Sequence, residues 1–346
     1  MERIDRSRAS RLPQRGRRRR QRRKKPNWFL RIMVFMLVGI FVFGAYILYN
    51  VLGAFSDTQY ELARGDKSDK REQAVNTDDP VSLLIMGIDE RPDKQDVGRP
   101  DVLMVVTVNP EDKSAKILSI PRDTLTYIPA IGKEDKINHA YSLAEVQQPG
   151  TGIESTITTV EELLDIPIDY FAKINFDGFV EIIDTLGGVD VNVERAFKQK
   201  AFDGGEEIYF EEGPAHLNGK EALAYVRMRK EWGGDAGRNE RQREVLAQLM
   251  QKGASFSSLT KIDDIIESLG RNVDMNVSGG ELLAFSRKYG SIPKENIESL
   301  TLEGTDVMRD RSYFILEEGE AERVGNILKA HLNLPTTSTV NTGAES

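Results

Sequence analysis

The 346-residue chain contains no cysteine. That excludes disulfide bridges, thiolate nucleophiles and sulfur-ligated metals, so any folded domain must rest on its own core. Eukaryotic secreted domains often use disulfides, so a cysteine-free exported domain leans towards a bacterial one. Histidine is nearly as scarce: His139, His216 and His331 are the only three. They lie far apart, so no histidine-based zinc site is expected, and His139 reads as a satisfied turn histidine. The chain also lacks the glycine-flanked serine of a nucleophile elbow, a Walker glycine loop and any internal repeat.

What is present is charge, unevenly placed. Residues 1–31 hold fourteen Lys and Arg against Glu2 and Asp5, a net of +12; the whole chain is −8, which leaves −20 beyond them. From Ile32 to Tyr49 no residue is charged, and a membrane-spanning helix needs about 20 such positions. Trp28 and Tyr49 sit where amphipathic aromatics favour the interface. No small-residue cleavage site follows, which predicts a retained signal-anchor. The expected organisation is a basic cytoplasmic tail (1–27), a transmembrane helix (28–52), an extracytoplasmic stalk (53–79), a folded domain (80–334, with its core at 80–250) and a disordered C-terminal tail (335–346). The basic end should stay cytoplasmic, placing the acidic domain outside a single-pass membrane protein. The tail suits anionic membrane lipid; without a reader motif or interleaved aromatics, nucleic acid is not an expected partner.

Within the domain, apolar runs predict strands at Val81–Ile88, Val102–Val108, Ala115–Ile120, Tyr170–Asn175 and Val189–Val193. Helical spacing marks residues 153–164 and 179–186, and Asn218 can cap a helix running to Arg227. Further helices are predicted at 238–251, 259–269, 280–289 and 317–332, with strands near 297–302 and 312–316. Strands mixed with helices indicate an α/β fold, a central mixed β-sheet flanked by helices on both faces.

Charged residues recur where these apolar strands end. Asp89 and Asp101 border one loop, and Arg99 and Arg122-Asp123 come from the same end of the sheet. Arg227 and Arg229 share a face if extended; Arg238 and Arg241 share one if helical. Arginines and carboxylates at buried strand ends are costly unless paired or ligated. Together they suggest a site for a multiply charged anion such as a phosphate ester, gripped by arginine forks. Asp89 and Asp101 could converge on a divalent ion, Mg²⁺ or Mn²⁺, or could simply cap turns. Structural salt bridges or a solvated helix face are the corresponding alternatives for the arginines.

In order, these segments resemble the LytR-CpsA-Psr family of bacterial cell-envelope proteins. The stretches that carry the resemblance are Leu84-Ile85-Met86-Gly87-Ile88-Asp89, Gly98-Arg99-Pro100-Asp101, Ser119-Ile120-Pro121-Arg122-Asp123 and Asp135-Lys136-Ile137-Asn138-His139-Ala140-Tyr141. Further on come Asn175-Phe176-Asp177-Gly178-Phe179, Leu186-Gly187-Gly188-Val189-Asp190 and Leu223-Ala224-Tyr225-Val226-Arg227-Met228-Arg229. The resemblance implies a phosphotransferase outside the cytoplasmic membrane. It would move an anionic glycopolymer, wall teichoic acid above all, from a polyprenyl-pyrophosphate carrier to a hydroxyl of peptidoglycan, releasing polyprenyl phosphate.

By the same resemblance Asp89 and Asp101 would hold the metal, and Arg99, Arg122, Arg227, Arg229, Arg238 and Arg241 would bind the pyrophosphate. Phe171, Phe176, Phe179, Val180 and Ile183 would line a tunnel for the lipid; ordinary core packing is the alternative for each. The general base stays open among Asp89, Asp101 and Asp123. Where the family commonly has Ser-Asp-Thr, this chain has Pro100-Asp101-Val102, which keeps the carboxylate and loses a neighbouring hydroxyl. Two other readings stay open: a hydrolase of the same lipid, with water as acceptor, and a non-catalytic envelope regulator.

Overall fold

The computed structural model describes residues 60–65, 67–89, 97–202, 204–228, 234–255, 272–278, 281, 284, 285, 288, 289 and 292–336. The expected basic tail and membrane span lie outside them, as does the predicted helix at 259–269. Among the described residues no helix is long and apolar enough to cross a membrane.

A six-stranded sheet forms the centre of the domain. Its strands are β1 (Val81–Ile88), β2 (Pro100–Asn109), β3 (Ser114–Ser119), β6 (Tyr170–Asn175), β11 (Val273–Met275) and β12 (Ile297–Leu300), ordered β11-β6-β1-β2-β3-β12. β1, β2 and β3 run antiparallel in a meander, while β6 pairs parallel to β1 and β12 parallel to β3, so the sheet is mixed. Apolar residues occupy both faces of these central strands, as a sheet covered on both sides requires.

One face carries Leu84, Met86, Ile88, Leu103, Val105 and Leu118. Helices α1 (His139–Gln147), α2 (Gly152–Leu164) and α6 (Glu320–His331) cover it through Tyr141, Ile153, Ile157, Val160, Val324 and Leu328. A Cβ on Gly325 would stand 2.1 Å from the Leu164 carbonyl oxygen, so a side chain there would force α6 away from α2. On the other side lie α3 (Phe176–Thr185), α4 (Gly219–Arg227) and α5 (Gly234–Ser255). Asn175 caps α3 by accepting from the Gly178 N–H, and Asn218 caps α4 in a reciprocal capping box with Glu221. A second core, built on Ile183, Val189, Leu217, Leu223 and Tyr225, ties α3 and α4 to strand β7 (Val189–Val193).

Smaller hairpins decorate the frame: β4 (Leu125–Ile128) with β5 (Lys133–Lys136), β8 (Phe197–Lys200) with β9 (Glu207–Phe210), and β13 (Gly304–Met308) with β14 (Ser312–Leu316). Strand β10 (Gly213–Leu217) pairs with β7. Periodicity did not announce β4, β5, β8–β11 or β13, because they are short and polar and their pairing partners, not their own residues, define them.

The segment preceding β1, expected as a stalk, is docked on the domain. Leu62 enters the first core, and Arg64 pairs with Glu161 at 2.8 Å. Arg71 forks onto Asp169 at 3.0 and 2.8 Å, with 9% and 2% of the two side chains exposed. Polar composition suggested solvent here, but buried ion pairs consume that polarity.

Candidate active site

The site begins with an irregularity between β1 and β2. Gly87 pairs with Val102 and Ile88 with Pro100, so Asp101 is the extra residue of a bulge. Bulges re-aim side chains at strand ends, and here Asp101 lines a cavity while Asp89 follows directly after Ile88. Gly87 is required by close approach: a Cβ there would stand 3.0 Å from Val102 Cβ.

Arg122, in the turn after β3, donates to Asp101 from its terminal nitrogen, and its Nε lies 3.6 Å from Asp123. Asp123 in turn accepts from Lys136 Nζ at 2.8 Å. Backbone bonds fix this array: Asn138 N–H to the Arg122 carbonyl at 3.2 Å, Ile137 N–H to Thr124 at 2.8 Å and Phe314 N–H to Asp123 at 2.8 Å. The last bond brings the β13–β14 hairpin to the site, with Tyr313 carrying Lys136 and Arg309 within 5.6 and 5.9 Å of its ring centroid.

Next to Asp101 opens a cavity of ≈ 340 Å³ between the sheet and α3, α4 and α5. Ile85, Met104 and Ile174 form its floor, Phe176 and Phe179 one wall, and Val245, Leu246 and Leu249 another. Asp101, Arg227 and Arg238 add charge, and Asn175 and Gln242 polar amides, to this mostly apolar lining. The Arg227 guanidinium lies 5.0 Å over the Phe176 ring, a cation–π contact that holds it there. An anion with an apolar tail matches this combination of surfaces.

The residues singled out from sequence fall into distinct places. Asp101, Arg122 and Asp123 come together, and Arg227 and Arg238 join Asp101 at the cavity. Asp89 is half-buried at the end of β1 and Arg99 is exposed just before β2. Arg229 lies outside the described residues. Arg241 is buried and donates to backbone from Nε to the Tyr225 carbonyl at 3.1 Å and from one terminal nitrogen to the Met228 carbonyl. Burial lowers its proton affinity, and its position braces the corner between α4 and α5.

Of the five expected tunnel residues, Phe176 and Phe179 line the cavity. Phe171 does not: adjacent strand residues point to opposite faces, and it sits in the first core against Tyr60 at 5.8 Å. Ile183 is buried in the second core and Val180 packs against that core. The wall supplied by α5 was missed. Its signal was present, since Arg238, Gln242, Val245 and Leu249 recur at the spacing of one helix face.

Three hydrogen-bonded groups complete the surroundings. Asp135 Oδ1 accepts from His139 Nδ1 at 2.9 Å and from the Lys136 N–H at 2.8 Å. Burial alone would raise the Asp135 carboxyl, but these two donors hold it below its ordinary range. For His139 burial is the main influence and lowers its proton affinity; Asp135 opposes this, while Arg99 and Arg311 add to it.

The sequence and fold of this chain both have known counterparts. The LytR_cpsA_psr family profile matches residues 45–330. A polyisoprenyl-teichoic acid–peptidoglycan teichoic acid transferase, TagU of Halalkalibacterium halodurans, is 42% identical over 302 residues, covering 86% of this chain and 94% of that protein. TagV of Bacillus subtilis, named for the same activity, is 39% identical over 321 residues, or 89% of this chain and 80% of its own length. The TagV crystal structure superposes with a TM-score of 0.65 at 39% identity, covering 75% of this chain and 99% of that one. YwtF (TagT) of B. subtilis, solved with bound octaprenyl pyrophosphate lipid, gives 0.62 at 31% identity, covering 80% of this chain and all of its own, 100%. With this extent of match over the domain that holds the charged cavity, the chain belongs to the LytR-CpsA-Psr family.

Proposed function

We propose that the chain is a transferase that moves an anionic glycopolymer, wall teichoic acid in the first instance, from a polyprenyl-pyrophosphate carrier to a hydroxyl of peptidoglycan. The observation that carries this reading is the apolar cavity with Asp101, Arg227 and Arg238 in its lining. The polyprenyl tail enters the apolar part, where its burial contributes about 25 cal/mol per Å². The pyrophosphate stays with the arginines, whose forks neutralise it and stabilise the charge that develops as the phosphorus is attacked. The relatives named as teichoic acid transferases support the polymer class, and the octaprenyl pyrophosphate bound by YwtF (TagT) supports the carrier.

Asp89 and Asp101 fit a hard divalent ion, Mg²⁺ or Mn²⁺, held between the end of β1 and the bulge of β2. Among the described residues no group of three or more His, Asp or Glu side chains could form a full cage. Mg²⁺ takes one or two carboxylates and fills its remaining positions with waters and phosphate oxygens. When bound, the ion would offset pyrophosphate charge. Arg122 keeps Asp101 in place from the other side, and Asp123 keeps Arg122 and Lys136 at the site.

The uncharged run at 32–49 anchors the chain in the cytoplasmic membrane, with the domain outside, where both lipid carrier and peptidoglycan are reached. The test uses the full chain in lipid nanodiscs with a synthetic polyprenyl-pyrophosphate glycan, a peptidoglycan oligomer and Mg²⁺. A metal-dependent glycan–peptidoglycan adduct, absent from Asp101→Ala, is the expected result. Free polyprenyl phosphate without any adduct would replace transfer by hydrolysis.

A further inference from the structure

Within this transfer reading, the carboxylates considered from sequence as general base are otherwise engaged. Asp101 holds Arg122; Asp123 holds Lys136 and Arg122; Asp89 and Asp101 are the two groups suited to the metal. A base must instead be uncommitted, neutral before the step, and able to reach a hydroxyl.

His139 has those properties. It opens α1 directly after Asn138, whose N–H is bonded to the Arg122 carbonyl, so the backbone holds it beside the arginine that binds Asp101. An ionised carboxylate only accepts, so the 2.9 Å bond to Asp135 places the proton of the neutral ring on Nδ1. Nε2 then carries the lone pair. Among the described residues nothing hydrogen-bonds Nε2. The His139 side chain keeps 9% of its surface exposed, and Asn138 Oδ1, on the residue before it, is a buried atom without a hydrogen-bond partner among the described residues.

We propose that His139, oriented by Asp135, is the general base that activates the acceptor hydroxyl. The hydroxyl oxygen forms a bond to the sugar-side phosphorus while its proton passes to Nε2. The bond from that phosphorus to the bridging oxygen breaks, and its electron pair leaves with polyprenyl phosphate. The imidazolium then returns its proton to solvent. The groups that face the ring are Asp135 on β5, which favours the protonated form, and Arg99 and Arg311, which disfavour it together with burial. Lys133, 3.7 Å from Asp135, and Lys136 add positive charge behind the carboxylate. Neutral imidazole is therefore the resting form near pH 7.

The experiment measures transfer against pH for the full chain and for His139→Gln, with binding of octaprenyl pyrophosphate measured separately. Expected is a fall in kcat of about 10²–10⁴-fold with lipid affinity retained, and loss of the acid limb that lies below the ordinary imidazole value near 6.5. Should His139→Gln fail to fold, Asp135→Asn serves: removing the charge that favours imidazolium moves the acid limb to lower pH. A variant that transfers within about threefold of the parent with an unchanged acid limb overturns the base assignment alone. A parent chain that forms no adduct overturns the transfer reading and this inference together.

Discussion

Arg122 and Asp101 meet across the end of the sheet because the β1–β2 bulge pushes Asp101 out of register. The pair is part-exposed, with 26% and 38% of the side chains accessible. Such an ion pair contributes only about 0–1 kcal/mol to stability; in the proposed transfer its value would lie in positioning the Arg122 fork for the pyrophosphate.

That separates function from folding in Arg122→Lys. Lysine keeps the charge and loses the planar fork. Transfer should fall by about 10²-fold or more while the unfolding midpoint hardly moves. Paired kinetic and thermal measurements check this; full activity would remove Arg122 from the anion site.

Leu249→Trp should fill part of the apolar cavity from its α5 wall. Overpacking costs about 1–3 kcal/mol in stability, and the affinity for octaprenyl pyrophosphate should fall by about tenfold or more. Geranyl pyrophosphate, which has a short tail, should be affected much less. Equal losses for both lipids, measured by titration, would place the tail elsewhere.

The segment before β1 makes a prediction about where the domain begins. Arg71→Ala would leave the Asp169 carboxylate, whose side chain is 2% exposed, without its cation and held by the Ser82 N–H and Oγ, at a cost of about 3 kcal/mol. A chain beginning at residue 80 loses Leu62, Arg64 and Arg71 together and should be far less stable than one beginning at residue 56. Denaturant unfolding of the two checks this; equal midpoints would mean that the strap is dispensable.

His331 supplies a pH dependence away from the site. Its ring bonds Thr107 at 2.7 Å and Ser114 at 2.9 Å, and burial, aided by Lys116, pushes its pKa down to about 4. A lowered imidazole pKa means that the fold favours the neutral ring. Its contribution is therefore fully present above about pH 6.5 and is lost as pH falls from there to about 4, roughly 1–2 kcal/mol after allowing for solvent screening. The urea midpoint should decline across this window in the parent chain, and His331→Gln should flatten that decline.

Much of this molecule follows from local pattern. Val81–Ile88, Tyr170–Asn175 and Val189–Val193 form strands at the boundaries their apolar runs set, because buried strands need continuous or alternating apolar residues. Asn218 caps α4 as its side-chain chemistry allows. The order Asp89, Asp101, Arg122, Asp123 and Arg227, with each charge at an element's end, was also readable, since such residues are costly inside strands and helices.

Tertiary structure decided what depends on who lies opposite whom. Phe171 and Phe176 are both aromatic and close in sequence, yet strand alternation sends one to the core and the turn into α3 brings the other to the cavity. The α5 wall, the approach of Tyr313 to Lys136 and the docking of Arg71 on Asp169 join segments up to 177 residues apart (Tyr313 and Lys136). By itself the sequence determined which groups stand at the ends of strands and helices, because capping, periodicity and burial act over a few residues. Which of those groups form one site depends on sheet order and on a one-residue bulge, because packing and ion pairing act between surfaces that only the folded chain brings together.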